Sequence, residues 1–419
     1  MGGSGSLAVA AARLEGFAGQ RLRTPGLVVA LIGPDGWRHE FALGVSDLAS
    51  GRPLGTDALL PIASIGKAMT AVALLREAQA GRVDLDAAVH DHLPWLPLPT
   101  PFGPIRLRHL LAHTGGIVAG LDASPSPIVE ALALAETTPG WPAGQHYYYS
   151  NVGYALLGLV LERVAGCSYA QAIGRHVLDP CGMTASEAVT TAQAQTRAAT
   201  GHLQLAGGGF VPAPWVPTAS GGGSTLCTAA DLGRFLRALV AGDPALLDPA
   251  THQVMMTPAL GLPDGEGYGY GLGVMIDTEA GYRRIGHSGD APGFGSHAYG
   301  CAETGVGVVA LYNGPWRRRW HPPPACGRSW STGWRCCGRR RWDWSCPPIR
   351  HLPGTSTTIT RPPPQRRGSF LLGSRSAVQG HRRGSAQAGR RVRVAVRPHP
   401  LNPTAQPLRC PSAADAIPP

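Results

Sequence analysis

The 419-residue chain contains one lysine, Lys67, and it stands three residues after a serine in Ala63-Ser64-Ile65-Gly66-Lys67. Of the 37 basic residues 36 are arginine, so the bias against lysine is relaxed at this one place. A guanidinium stays protonated and cannot take a proton from a hydroxyl, whereas a desolvated amine can. The pair reads as a nucleophile and its base. Residues Ala68 to Ala80 are rich in helix formers and stop at Gly81, which predicts a helix of about four turns over 64–80, opened by the serine. Residues three apart on a helix share a face, and the amides of a first turn disfavour an ammonium and favour a developing oxyanion.

Two further clusters carry groups that could complete a site. Tyr147-Tyr148-Tyr149-Ser150-Asn151 precedes an apolar helix. A phenol beside a lysine can share its proton, and an Asn amide can both donate to and accept from a bound ester or amide. Tyrosines at a helix start also serve as packing anchors. Gly286-His287-Ser288-Gly289-Asp290 ends a strand, where small residues expose backbone groups to an extended substrate and one N–H can serve an oxyanion hole. The same residues also suit a plain turn. His109 and His113, four apart on a short helix, have the spacing of a metal pair, but position 110 is Leu, so H-E-x-x-H fails and a structural role is the better reading. No G-x-S-x-G occurs, which argues against an α/β-hydrolase elbow.

The elements that must position these groups follow from periodicity and turn chemistry. Residues 7–19 read as a helix, and Leu27 to Ile32 and Trp37 to Leu43 as a hairpin around Gly33-Pro34-Asp35-Gly36. Residues 282–287, 296–301 and 305–313 read as three more strands. Between these groups lie helices at 64–80, 106–112, 151–165 and 229–240, the last opened by Thr228-Ala229-Ala230-Asp231 as a capping box. The fold class is therefore α+β: an antiparallel sheet of about five strands, built from N- and C-terminal parts and flanked by helices, with a mainly helical insertion. The globular body spans 7–314, its sheet part about 7–60 and 265–314 and its helical part about 64–240.

Charge divides the chain. Residues 1–315 carry 17 basic and 24 acidic side chains, net −7; residues 316–419 carry 20 and 2, net +18. The overall +11 is thus a property of the tail, and a nucleic-acid partner does not follow from it. From Trp316 onward, Pro clusters, Arg runs and five of the nine cysteines replace any periodicity beyond Val392 to Val396. That composition is what a GC-rich gene yields out of frame; a disordered basic arm is the next reading and a nucleic-acid-binding module the last. None predicts fixed structure over 315–419. Cys326, Cys336, Cys337 and Cys346 show no C-x-x-C pair, so no zinc site is expected. The N-terminus has no basic n-region, and Arg13 and Glu15 interrupt the apolar run after it, which predicts a soluble, cytoplasmic chain without a spanning helix.

Taken in order, Ser64-Ile65-Gly66-Lys67, Tyr149-Ser150-Asn151 and His287-Ser288-Gly289 resemble the three signature elements of the penicillin-recognising serine hydrolases. The branch of closest resemblance holds class C β-lactamases, D-alanyl-D-alanine carboxypeptidases, D-aminopeptidases and β-lactamase-like esterases. Leu107 to Gly116, Ser150 to Gly158 and Gly221 to Leu232 resemble that branch too, and the likeness covers about residues 7–314. The resemblance implies a covalent two-step acyl transfer without metal or cofactor. Ser64 would attack, Lys67 with Tyr149 would handle the proton, and the backbone N–H groups of Ser64 and Asp290 would hold the oxyanion. Asn151, His287, Gly289 and Asp290 would contact substrate: a small ester, lactam or D-amino-acid peptide. His287 replaces the Lys of many relatives, which tilts the expectation toward an esterase or peptidase. The alternative is a penicillin-binding or sensing protein that is acylated without turnover, inactive for want of the family's final helix. Two departures stand out: Gly66 loosens the helix start, and the Asp290 carboxylate would weaken the oxyanion hole unless it points away.

Overall fold

The structure is a computed structural model that describes residues 3–121, 124–260, 269–279 and 281–315. The arginine- and proline-rich stretch from Trp316, its cysteines, Val392 to Val396 and the expected loss of a final helix all fall outside the described residues.

Strands β1 (Gly26–Ile32), β2 (Arg38–Asp47) and β3 (Arg52–Pro53) come first, β4 (Leu60–Pro61), β5 (His202–Gln204), β6 (Phe210–Pro212) and β7 (Leu226–Cys227) fall within the middle, and β8 (Gly269–Tyr270), β9 (Met275–Glu279), β10 (Tyr282–Ala291), β11 (Phe294–Cys301) and β12 (Gly307–Tyr312) close the order. The main sheet has eight strands in the order β3-β2-β1-β12-β11-β10-β9-β8, rather than the five expected. The antiparallel α+β class holds. Its centre is the pairing of β1 with β12, Leu27 opposite Tyr312 and Ile32 opposite Gly307, which joins the two ends of the described body. Of the three extra strands, β3 and β8 have two residues each, too few for an alternation signal, and β9 has five.

The helices are α1 (Gly3–Arg21), α2 (Gly66–Gln79), α3 (Val89–His92), α4 (Leu107–Leu111), α5 (Pro127–Leu132), α6 (Asn151–Ala165), α7 (Tyr169–Ile173), α8 (Ala229–Ala241) and α9 (Pro249–Met255). Helix α2 is buried on almost every face, from Gly66 to Leu75, as a helix at the centre of a domain must be. Helix α6 begins where the Ser150 side chain accepts from the Gly153 N–H and stops at Gly166, whose φ of 64° supplies a left-handed cap. In α8 only half of the expected capping box forms. Thr228 accepts from the Asp231 N–H, but the aspartate carboxylate accepts instead from the Ala185 N–H and the Ser186 hydroxyl.

One large core lies between the inner sheet face and these helices, running from Val28 and Ala30 through Met69 and Leu74 of α2 to Val160 of α6 and Phe235 of α8. On the other sheet face, Leu27, Val29, Phe41 and Tyr312 make a small cluster with Ala18 of α1. Helix α4 ends at Leu111, so His109 and His113 do not share a helical face: His113 lies beyond the helix with φ 58°. His109 instead accepts from the Arg106 N–H through Nδ1. Among the described residues no group of three or more His, Cys, Asp or Glu is placed to hold a metal, and no single helix is long and apolar enough to cross a membrane.

Candidate active site

Ser64 lies in the tight turn Ala63–Ile65 that runs directly into α2. Ala63, just before it, has φ 47°, a conformation that costs an alanine about 1–2 kcal/mol. Backbone packing imposes it. Gly223, at φ 136°, presses on Ala63 so closely that a Cβ there would stand 2.2 Å from the Ala63 carbonyl oxygen. Only glycine supplies both the torsion and the approach. Thr70, one turn past Lys67, accepts from the Tyr169 hydroxyl at 2.8 Å and donates to the Gly221 carbonyl at 2.9 Å, which fixes the glycine segment against α2.

Lys67 is 0 % exposed. Its Nζ lies 3.0 Å from Ser64 Oγ, 2.7 Å from Asn151 Oδ1 and 2.6 Å from the Gly222 carbonyl oxygen. A neutral amine has two protons and one lone pair. In that form the two shorter contacts take the protons, since both partners there are acceptors, and the longest leaves the lone pair facing the serine hydroxyl; in the ammonium form all three contacts are donated by Nζ. The same nitrogen lies 4.9 Å from the centroid of the Tyr149 ring and 5.6 Å from that of Tyr154.

Strand β10 supplies the opposite wall. It pairs with β11 along residues 284–291, but β9 accompanies it only as far as Gly286, paired with Met275. No other strand among the described residues pairs with His287–Ala291 on that flank. The stretch is stitched to the serine turn: Ser296 of β11 donates to the Ile62 carbonyl at 2.7 Å. A Cβ on Gly289 would stand 2.2 Å from that carbonyl oxygen and 2.9 Å from the Ser64 nitrogen. Gly289→Ala is therefore expected to push the serine turn off the strand and lower kcat/KM by roughly 10²-fold, the effect of an ångström-scale misplacement of reacting groups. Steady-state hydrolysis measured beside a thermal melt separates that loss from unfolding.

Side chains alternate along the strand, so His287 and Gly289 face the serine while Ser288 and Asp290 face the far side of the sheet. Asp290 is exposed there and its charge acts on His297 of β11. The carboxylate thus points away from the serine turn, which removes the expected interference with the oxyanion hole. His287 is 1 % exposed, with its Nε2 3.0 Å from the Tyr270 hydroxyl and its Nδ1 2.5 Å from the Ser288 carbonyl oxygen. Burial, with the Lys67 charge second, pushes its pKa down to about 3.

Some groups at this site have no counterpart in the motif reading. Gly222 contributes a main-chain carbonyl, which no residue type announces. His113 accepts from the Ser150 N–H through Nδ1 at 3.1 Å and packs its ring 4.2 Å from that of Tyr149, so it braces the loop that carries Tyr149 and Asn151. Burial first, with Lys67 second, holds His113 well below the usual histidine range. The sequence signal at His113 was its helical spacing from His109, which pointed to the wrong local structure.

The sequence profile of the beta-lactamase family matches residues 11–319. The chain belongs to that family. This beta-lactamase family member is 28% identical over 309 residues to penicillin-binding protein 4 of Amycolatopsis lactamdurans, covering 69% of this chain and 81% of that one. It is 32% identical over 197 residues to esterase EstB of Burkholderia gladioli, a match to 41% of this chain and 50% of that protein. In structure it is similar to the octameric penicillin-binding protein homologue from Pyrococcus abyssi, with TM-score 0.66, 26% identity and 73% of each chain covered. The family is one of beta-lactamase-fold serine hydrolases in which esterases and D-peptidases both occur.

Proposed function

We propose that residues 7–314 form a serine hydrolase that works through a covalent acyl-enzyme on small uncharged esters and amides, with esters turned over fastest. The observation that carries this reading is the placement of Lys67: a buried amine 3.0 Å from Ser64 Oγ with its two other directions closed by acceptors. In the first step Ser64 Oγ attacks the substrate carbonyl as its proton passes to Lys67 Nζ. The backbone N–H groups of Ser64 and Asp290 receive the oxyanion, and Asn151 contacts the acyl amide or ester. The leaving group takes the proton back from Lys67. Water, deprotonated by Lys67 with Tyr149 alongside, then releases the acid and frees the serine.

The electrostatics favour uncharged substrates. With its pKa near 3, His287 is neutral at pH 7 and offers no cation to a substrate carboxylate, in contrast to a lysine at the same place. A free carboxylate therefore adds little binding there, which argues for esters over carboxylate-bearing lactams and peptides.

Purified chain assayed with p-nitrophenyl acetate, p-nitrophenyl butyrate, nitrocefin and D-alanine p-nitroanilide tests this directly. The esters are expected to give the highest kcat/KM, and Ser64→Ala to lower it by on the order of 10³-fold or more. A fluorescent phosphonate should label the native chain and not Ser64→Ala. Ester turnover by Ser64→Ala at the native rate overturns the reading, and labelling without turnover points to a sensor.

A further inference from the structure

Tyr270, the last residue of β8, belongs to none of the three motifs, yet it is buried at the centre of the site's aromatic cluster. Its ring lies 4.7 Å from that of His113, 5.6 Å from Tyr147, 6.4 Å from Tyr149 and 5.8 Å from His287. Its hydroxyl meets His287 Nε2 at 3.0 Å and also hydrogen-bonds Tyr154.

The proton positions follow from which partners can only accept. The Ser288 carbonyl, 2.5 Å from His287 Nδ1, is an acceptor alone, so Nδ1 carries the proton. A neutral imidazole then has a bare Nε2, and the hydrogen there must come from Tyr270. Tyr154 directs its own proton to the Leu111 carbonyl at 2.6 Å, so its oxygen is a second acceptor beside Tyr270. The imidazole lone pair is more basic than a phenol oxygen, and it takes the Tyr270 proton.

Resting on the hydrolase reading above, we propose that Tyr270 is a positioning residue for acyl transfer: its hydroxyl holds His287 in the Nδ1–H tautomer, and His287 through that proton fixes the Ser288 carbonyl on the unpaired flank of β10. Residue 288 is followed directly by Gly289, which abuts the Ser64 amide. Tyr270 acts on the serine turn through His287 and the strand, and does not touch the reacting atoms. Without the hydroxyl the ring is free to place its proton on Nε2, the Nδ1 bond to Ser288 is lost, and the peptide plane beside the oxyanion site is no longer held.

Tyr270→Phe removes the hydroxyl and keeps the ring. It is expected to lower kcat/KM for p-nitrophenyl butyrate about tenfold, the effect of one lost hydrogen bond. In a His287→Ala background the same substitution should change the rate by less than about twofold, because the residue through which it acts is gone. Histidine-selective 15N labelling reads the tautomer: one resonance pair with protonated Nδ1 and bare Nε2, missing in His287→Ala and converted to a tautomer mixture in Tyr270→Phe. Equal losses in both backgrounds, or an unchanged tautomer in Tyr270→Phe, overturn the proposal. If the native chain hydrolyses no ester, the hydrolase reading fails, and the tautomer measurement still decides whether Tyr270 holds His287. A simple packing role would lower stability and leave the tautomer unmoved.

Discussion

Lys67→Met is expected to lower kcat/KM by roughly 10³- to 10⁴-fold while KM moves only a few-fold, because it removes the base and leaves the walls of the site in place. Methionine nearly matches the buried volume, so the core around α2 should hold. What changes is the proton inventory: Asn151 Oδ1 and the Gly222 carbonyl lose their donor and Ser64 Oγ loses its acceptor. Lys67→Arg should be nearly as inactive, since a guanidinium brings charge and donors but no lone pair. Hydrolysis of p-nitrophenyl butyrate, with circular dichroism to confirm folding, measures both. Substantial turnover by the arginine variant would mean that the proton leaves Ser64 by another route.

Glu77→Ala is expected to cost about 3 kcal/mol of stability. Glu77, like Lys67, is an ionisable residue of α2 that faces the interior; its side chain is 0 % exposed, 2.5 Å from Arg82 Nε and 2.6 Å from His176 Nε2. Removing one member of a buried pair costs about 3–5 kcal/mol, and the low end applies because Arg82 is 52 % exposed and can turn to water. Burial alone would raise the Glu77 carboxyl, but hydrogen bonds and charge from Arg82 and His176 outweigh it and hold it below the usual range. His176 is also lowered, by burial first, against the opposing pull of Glu77. Both folded-state values lie under their unfolded ones, so both groups take up protons more readily in the unfolded chain. Stability is then full above the ordinary histidine value of 6.5, erodes as pH falls below it, and erodes further once pH falls below the ordinary glutamate value of 4.5. Thermal melts of native and Glu77→Gln chains from pH 8 to pH 3 check this: the variant loses the upward pull of Glu77 on His176, so it is expected to erode more steeply between about pH 6.5 and 4.5 and, lacking the carboxylate, less steeply than the native chain below that.

The parts legible in the sequence are those with their own periodicity and caps. Helices α2, α6 and α8 each combine an apolar run with a terminating glycine, and the strands 26–32, 38–47 and 282–312 carry β-branched or alternating residues between Gly-rich turns. Ser64, Lys67 and Asn151 were legible because their chemistry resides in side chains. The missed elements depend on distant partners. Gly269–Tyr270 is a strand only because Met275 and Ile276 pair with it. Likewise the Gly222 carbonyl matters through its position above α2, and Tyr270 through a register that sets it against His287. Residue type alone leaves the direction of the Asp290 side chain open, because it follows from the strand alternation that turns it outward.

The short reach of β9 leaves five consecutive residues, His287 to Ala291, whose main chain has no neighbouring strand on one flank among the described residues. A molecule laid there in extended form would be gripped through its own amide or ester skeleton, whatever groups branch from it. Such a berth would discriminate by outline and backbone chemistry rather than by the groups that branch from the skeleton. The same bare flank would invite a second copy of the chain to dock edge to edge, and the outward negative charge at Asp290 stands where it would discourage that stacking.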